Sequence, residues 1–170
     1  INRLPRAIGL IQDWYWEQAS IRWNTSGTHA AVMLEAWDNK DRWLVTIAAA
    51  DGLITEQHHL HDPAWINYRF NEFGWLGDDT LYFLSEHSGY SQLYKKNLDG
   101  EVTALTSGNF EVSELTVSSD QQTLYFIANQ QHPGSYNVYR IALDTLKTEQ
   151  LTYLTGKVKY QLSPDQTKLL

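Results

Sequence analysis

Residues 78–106 read DDTLYFLSEHSGYSQLYKKNLDGEVTALT, and residues 120–152 read DQQTLYFIANQQHPGSYNVYRIALDTLKTEQLT. The second stretch is a degenerate copy of the first. Leu81 and Leu124 stand 43 positions apart, Tyr94 and Tyr139 stand 45 apart, and Leu105 and Leu151 stand 46 apart. Another copy opens at QLSPDQTKLL (161–170), and a weaker one precedes both in IRWNTSGTHAAVMLEAW (21–37) and RWLVTIAAADGLITEQHHL (42–60). A period of this length marks a supersecondary unit that buries its apolar faces only by stacking on neighbours.

Each unit has the same internal grammar. A short strand (Phe73 to Trp75, or Glu114 to Val117) leads to a polar turn, Asp78-Asp79 or Ser119 to Gln122. A second strand rich in β-branched and aromatic residues follows, Thr80 to Ser85 or Thr123 to Ala128, as strand propensity favours. A glycine-containing turn leads to a third strand, Gln92 to Leu98 or Asn137 to Leu143. Asp99-Gly100 is a hairpin turn, and a fourth strand ends at Thr106 or Thr152. No apolar residues hold a 3.6-residue period over ten residues. Four strands per unit of about 40 to 50 residues is the signature of a β-propeller blade. The fold class is therefore all-β, a partial β-propeller of about four blades, each a four-stranded antiparallel sheet. Residues 1–170 form part of one such domain, with blade-like repeats at about 20–60, 73–106 and 114–152 and the start of another at 160–170.

The same grammar decides the reading of Gly89-Tyr90-Ser91-Gln92-Leu93, one residue short of the G-x-S-x-G turn that displays a nucleophilic serine. That turn needs a following helix and a small fifth residue; here a strand follows and the fifth residue is Leu93. Ser91 is a turn residue. His58-His59-Leu60-His61-Asp62 has the look of a metal cluster, with His59 and His61 on one strand face. No distant His/Cys pair completes a tetrahedron, so exposed loop histidines and no metal or cofactor are expected. Trp23 and Trp75 close the first strand in successive copies, which argues for packing between blades over a stacking platform for sugars or bases.

Composition narrows the classes further. The 170 residues are 42% hydrophobic and 19% charged, so the chain is globular. A net charge of −7 disfavours a phosphate-binding surface, and no nucleic-acid partner is expected. There is no apolar run of membrane-spanning length, no signal-peptide pattern in Ile1 to Leu10, and no cysteine. A starting Met is also missing, and a processed chain or an excised piece of a longer one is expected.

Ser85 to Val112, SEHSGYSQLYKKNLDGEVTALTSGNFEV, resembles the N-terminal propeller of the dipeptidyl peptidase IV branch of the prolyl oligopeptidase family. That branch carries S-E-x-x-G-[aromatic]-x-x-L-Y, a Leu-Asp-Gly turn, and L-T-x-G-x-[aromatic]-E-V. Glu86, Gly89, Tyr90, Leu93, Tyr94, Leu98 to Gly100, Leu105, Thr106, Gly108 and Phe110 to Val112 fit in register. DPAWIN, from Asp62, resembles the run before this blade, and Trp14 to Trp23 resembles an earlier aromatic-rich strand. The resemblance implies a serine exopeptidase whose propeller gates and shapes substrate access to an α/β-hydrolase domain C-terminal to it. No G-x-S-x-G occurs in these residues, and none of the nine Glu are adjacent, as the substrate-amine glutamate pair of dipeptidyl-specific members would be.

The partners implied are that hydrolase domain and a peptide substrate, in a periplasmic or cell-envelope setting. Substrate-contact candidates lie in WINYRF: Trp65, Tyr68 and Arg69, with Arg69 either donating to a substrate carbonyl or carboxylate or lying over its aromatic neighbours. Two other classes compete. One is a protein-interaction propeller of a bacterial envelope complex of the Tol-associated type, which shares the Ser163-Pro164-Asp165 turn; the other is a carbohydrate-active propeller, which needs two carboxylates facing across a cleft. An open arc of blades is also expected to self-associate, with Ile1 to Trp16 and Ser163 to Leu170 at or near the contact.

Overall fold

The computed structural model describes residues 7–10 and 20–170. Three antiparallel sheets follow one another along the chain. The first holds β2 (Ile21–Trp23), β3 (His29–Ala36), β4 (Asp41–Ala48) and β5 (Ile54–His61), with β1 (Ala7–Leu10) sharing the β3 edge with β2. The second runs β6 (Phe73–Leu76), β7 (Thr80–Ser85), β8 (Gln92–Asn97), β9 (Val102–Ala104). The third runs β10 (Val112–Val117), β11 (Thr123–His132), β12 (Ser135–Ala142), β13 (Thr148–Gln150). The Leu162–Leu169 bridge opens a further hairpin. The fold is all-β, among the described residues without a helix, as a partial propeller requires. Residues 1–6 and 11–19 lie outside the described residues, and with them most of the stretch expected at a self-contact.

Period-two alternation assigns side chains to the seams between sheets. On β7, Leu81 and Phe83 face the first sheet, joining Ala31, Met33 and Leu44 with Phe73 and Tyr94. Leu84, one residue on, faces the third sheet, joining Leu93, Leu105, Leu124, Phe126, Tyr139 and Ile141. Because both faces are covered, the middle strands carry nearly continuous apolar runs. The LYF…LY repeat also has a defined contact behind it. Phe83 pairs across strands with Tyr94 and stacks on it at 5.8 Å; Phe126 pairs with Tyr139 and stacks at 5.7 Å. Such a pair is worth about 0.5–1.5 kcal/mol beyond the area it buries.

Polar repeats stitch the units together. The Thr106 hydroxyl accepts the Leu93 amide and donates to Gln92, while Thr152 does the same for Val138 and Asn137. This explains why the two full copies carry Leu-Thr just beyond the fourth strand, at Leu105-Thr106 and Leu151-Thr152. At the first-to-second strand turns, Ser26 N–H donates to Asp78, Gly77 N–H to Gln121, and Ser119 N–H to Gln166. Each turn is thereby tied to the next. Ser91, fully buried, donates its hydroxyl to Val112 O at 2.8 Å, a link from the second sheet to the third. A hydroxyl sealed in that way is no exposed nucleophile.

The two tryptophans diverge. Trp75, opposite Leu81, lies on the seam with the first sheet, half-buried, and its indole N–H donates to Arg22 O at 2.8 Å. Trp23 is 58% exposed, against expectation. It pairs with Ala30, and in β3 it is Ala31 and Met33 that face the second sheet. Trp23 therefore points to the opposite side.

Candidate functional site

Connections alternate between the two ends of each sheet. Tight turns occupy one end. The other carries the second-to-third strand loops and the longer connections between sheets. The connection from β5 to β6, residues 62–72, is the most elaborate. Asp62 Oδ1 accepts the Ala64 and Trp65 amides at 2.7 and 3.1 Å, so the DPAW stretch is an Asx-type turn. Ile66 and Phe70 are buried and anchor the loop, and Ile66 N–H donates to Asn39 O at 2.7 Å. Trp65 and Tyr68 are 57% and 60% exposed, and Arg69 is exposed. The three residues singled out from the sequence share one surface loop.

Residues that sequence reasoning passed over gather beside it. Tyr136 donates its hydroxyl to Glu111 Oε2 at 3.1 Å, and the Glu111 amide donates to Asn129 Oδ1 at 2.7 Å. Partial burial and the neighbouring Glu111 raise the Tyr136 pKa, and the charge of Arg69 opposes the rise. Arg69, Glu111 and Tyr136 therefore belong to one electrostatic neighbourhood built from three segments. Glu111 was legible only as the acid of the Phe110-Glu111-Val112 run; nothing in the sequence ties it to Tyr136. On the same side, Lys157 pairs with Glu114 at 3.2 Å and lies 5.9 Å from the Tyr136 ring. The set offers a cation, a carboxylate, a phenol and two exposed aromatics, which suits a polar, extended ligand and supplies no activated nucleophile.

A half-buried carboxylate ties this end together. Glu72 accepts the Glu114 and Leu115 amides at 2.7 and 2.6 Å, at the bulge where β10 loses register with β11 and Glu114 takes φ 56°. Burial raises the Glu72 pKa, and those two amides oppose the rise. The histidines expected in a loop are strand residues of β5. His59 and His61 both bond Asp41 Oδ1 at 2.8 Å, and His59 stacks on Trp43. His58 is half-buried against Phe83 with its Nε2 2.8 Å from Ser85 Oγ. β5 pairs with β4 along its whole length, which the polar composition of the stretch concealed. Among the described residues, no group of three or more His, Cys, Asp or Glu is arranged to hold a metal. An open cleft of about 510 Å³ lies at the opposite end, among Thr80, Lys95, Asn97, Asp120 and Asp144, far in the fold from the 62–72 loop.

The sequence profile of the Dipeptidyl peptidase IV (DPP IV) N-terminal region matches residues 11–170. The chain belongs to this family. Its likeness to a probable dipeptidyl peptidase 4 of Aspergillus flavus is 30% identity over 78 residues, 44% of this chain and 10% of the fungal protein. The crystal structure of Porphyromonas gingivalis dipeptidyl peptidase 4 superposes with a TM-score of 0.72 at 17% identity, over 88% of this chain and 21% of that one. The DPP IV N-terminal likeness thus covers the repeats from end to end, and the propeller architecture agrees. The chain spans a small part of either relative.

Proposed function

We propose that this DPP IV N-terminal segment is a non-catalytic part of a serine exopeptidase, where it gates and shapes substrate access to an α/β-hydrolase domain elsewhere in the parent protein. The observation that carries the reading is the 62–72 loop. It is anchored by Ile66 and Phe70 and turns Trp65, Tyr68 and Arg69 outward beside Glu111 and Tyr136. Rigid sheets that present variable loops at one end are a common way to build recognition. Arg69 would donate charge-assisted hydrogen bonds to a peptide carbonyl or carboxylate, and the aromatics would cover apolar side chains. A periplasmic or cell-envelope setting fits this role.

The segment on its own is expected to hydrolyse no peptide. Its one elbow-like serine, Ser91, has no exposure and is committed to Val112 O. A fluorophosphonate probe should leave the chain unlabelled while labelling the full-length protein. Labelling of the segment that disappears in Ser91→Ala would overturn the reading. As an isolated arc the segment should also self-associate through its end sheets, since unpaired edges recruit other chains. Sedimentation over a hundredfold concentration range checks this, and a monomer throughout would show that the arc tolerates its edges.

A further inference from the structure

The turn that carries Tyr68 and Arg69 is gripped from beneath by one buried side chain. Tyr68 and Arg69 are its two central residues, and Asn67 and Phe70 are its ends. Arg42, at the start of β4 and only 6% exposed, donates Nη2–H to Asn67 O at 2.9 Å and Nη1–H to Phe70 O at 3.0 Å. One guanidinium thus holds both ends of a four-residue turn. Glu86, in the β7–β8 loop, places its charge near Arg42 and the Asn67 amide, while Glu35 is the cross-strand partner of Arg42 on β3. Asn67 Oδ1 accepts the Arg69 amide at 3.1 Å, which closes the turn internally.

We infer that Arg42, backed by Glu86, is a positioning residue that fixes the presentation of Tyr68 and Arg69 to substrate; this rests on the peptidase reading above. Only arginine fits the task. Its planar fork offers two N–H groups on different nitrogens, diverging toward two carbonyls, while a lysine ammonium is a single point. Glu86 and Glu35 supply opposing charge near the guanidinium, and the carbonyls it bonds lie in a loop between strands. A buried charge that is retained to order a surface turn suits a loop whose geometry matters.

The test pairs amide exchange with kinetics. In the segment, Arg42→Met should speed exchange at the Asn67 and Arg69 amides by about tenfold or more, the scale of losing charge-assisted hydrogen bonds, while β8 amides such as Leu93 and Tyr94 keep their protection. Arg42→Lys should recover part of this. In the full-length protein, Arg42→Met should raise KM for a peptide substrate about as much as Arg69→Gln does, on the order of tenfold, with kcat retained. If Arg42→Met also loses β8 protection, Arg42→Lys decides: exchange at Asn67 and Arg69 faster than in the native chain with β8 still protected supports the clamp, and native exchange there overturns it. Unchanged exchange at Asn67 and Arg69 overturns the clamp. A KM raised by Arg69→Gln but untouched by Arg42→Met overturns the positioning role. Faster exchange with KM insensitive to both substitutions leaves the clamp standing and overturns the substrate reading instead.

Discussion

Phe126→Ala is expected to destabilise the chain by about 3–5 kcal/mol, the usual cost of truncating a buried aromatic. Phe126 is 1% exposed, stacks on Tyr139 at an interplanar angle of 12°, and sits in the seam between the second and third sheets. Ala128 and Val112 line the same seam and are already small or fixed by their strands, so the cavity cannot close by rotamer changes alone. Phe83→Ala removes the equivalent ring from the neighbouring seam and should cost a similar amount. A typical domain has only about 5–15 kcal/mol in total, so either change brings the fold near its limit. Trp23→Ala is the control, since its exposed ring should change stability by less than about 0.5 kcal/mol. Denaturant titration reads all three. A loss below about 1 kcal/mol for Phe126→Ala would show that the seam is loosely packed.

Acidification is expected to weaken the seam between the first two sheets. Burial lowers the pKa of His58 from 6.5 to about 4, and His87, His59 and Lys96 reinforce the shift because each adds positive charge nearby. The unfolded chain takes up this proton below about pH 6.5, whereas the folded chain resists it until about pH 4. Stability is therefore fully present above the unfolded value and is lost as pH falls from about 6.5 toward 4. The shift corresponds to roughly 2–3 kcal/mol once partial exposure is discounted. Among the described residues no carboxylate offsets His58: Asp41 is engaged by His59 and His61, and the Lys96 ammonium donates to Gln57 Oε1 on the same seam. Titrations at pH 7.5 and 4.5 should differ by about that amount, and His58→Phe, which can lie on Phe83 without a proton to gain, should remove this part of the difference. An unaltered pH dependence in His58→Phe would assign the effect elsewhere.

Strand order, the blade repeat and the turn positions were legible in the chain because they are written in local periodicity. The alternation of Leu81, Phe83 and Leu84 already sorts residues onto two faces, and Asp99-Gly100 already turns the chain. Family membership was legible for a related reason, since the run from Ser85 to Val112 encodes one complete hairpin and its link to the next sheet. The exposed positions of Trp65, Tyr68 and Arg69 follow from their place in the connection between two units, where Ile66 and Phe70 take the buried positions.

Other features arise only when residues far apart in sequence meet. His58 looked like its exposed neighbours, yet pairing of β5 with β4 turns it toward Phe83, 25 positions away, and changes its protonation. Trp23 and Trp75 hold equivalent places in the repeat, but only Trp75 has a described sheet on the side it faces. Arg42 reads as an ordinary strand-end cation until the fold delivers the carbonyls of Asn67 and Phe70 to it. Glu111 and Tyr136 come together within the third sheet, where β11 lies between β10 and β12. Periodicity fixes which face a side chain takes, whereas the partner on that face, and with it burial, charge state and chemical use, depends on how the sheets stack.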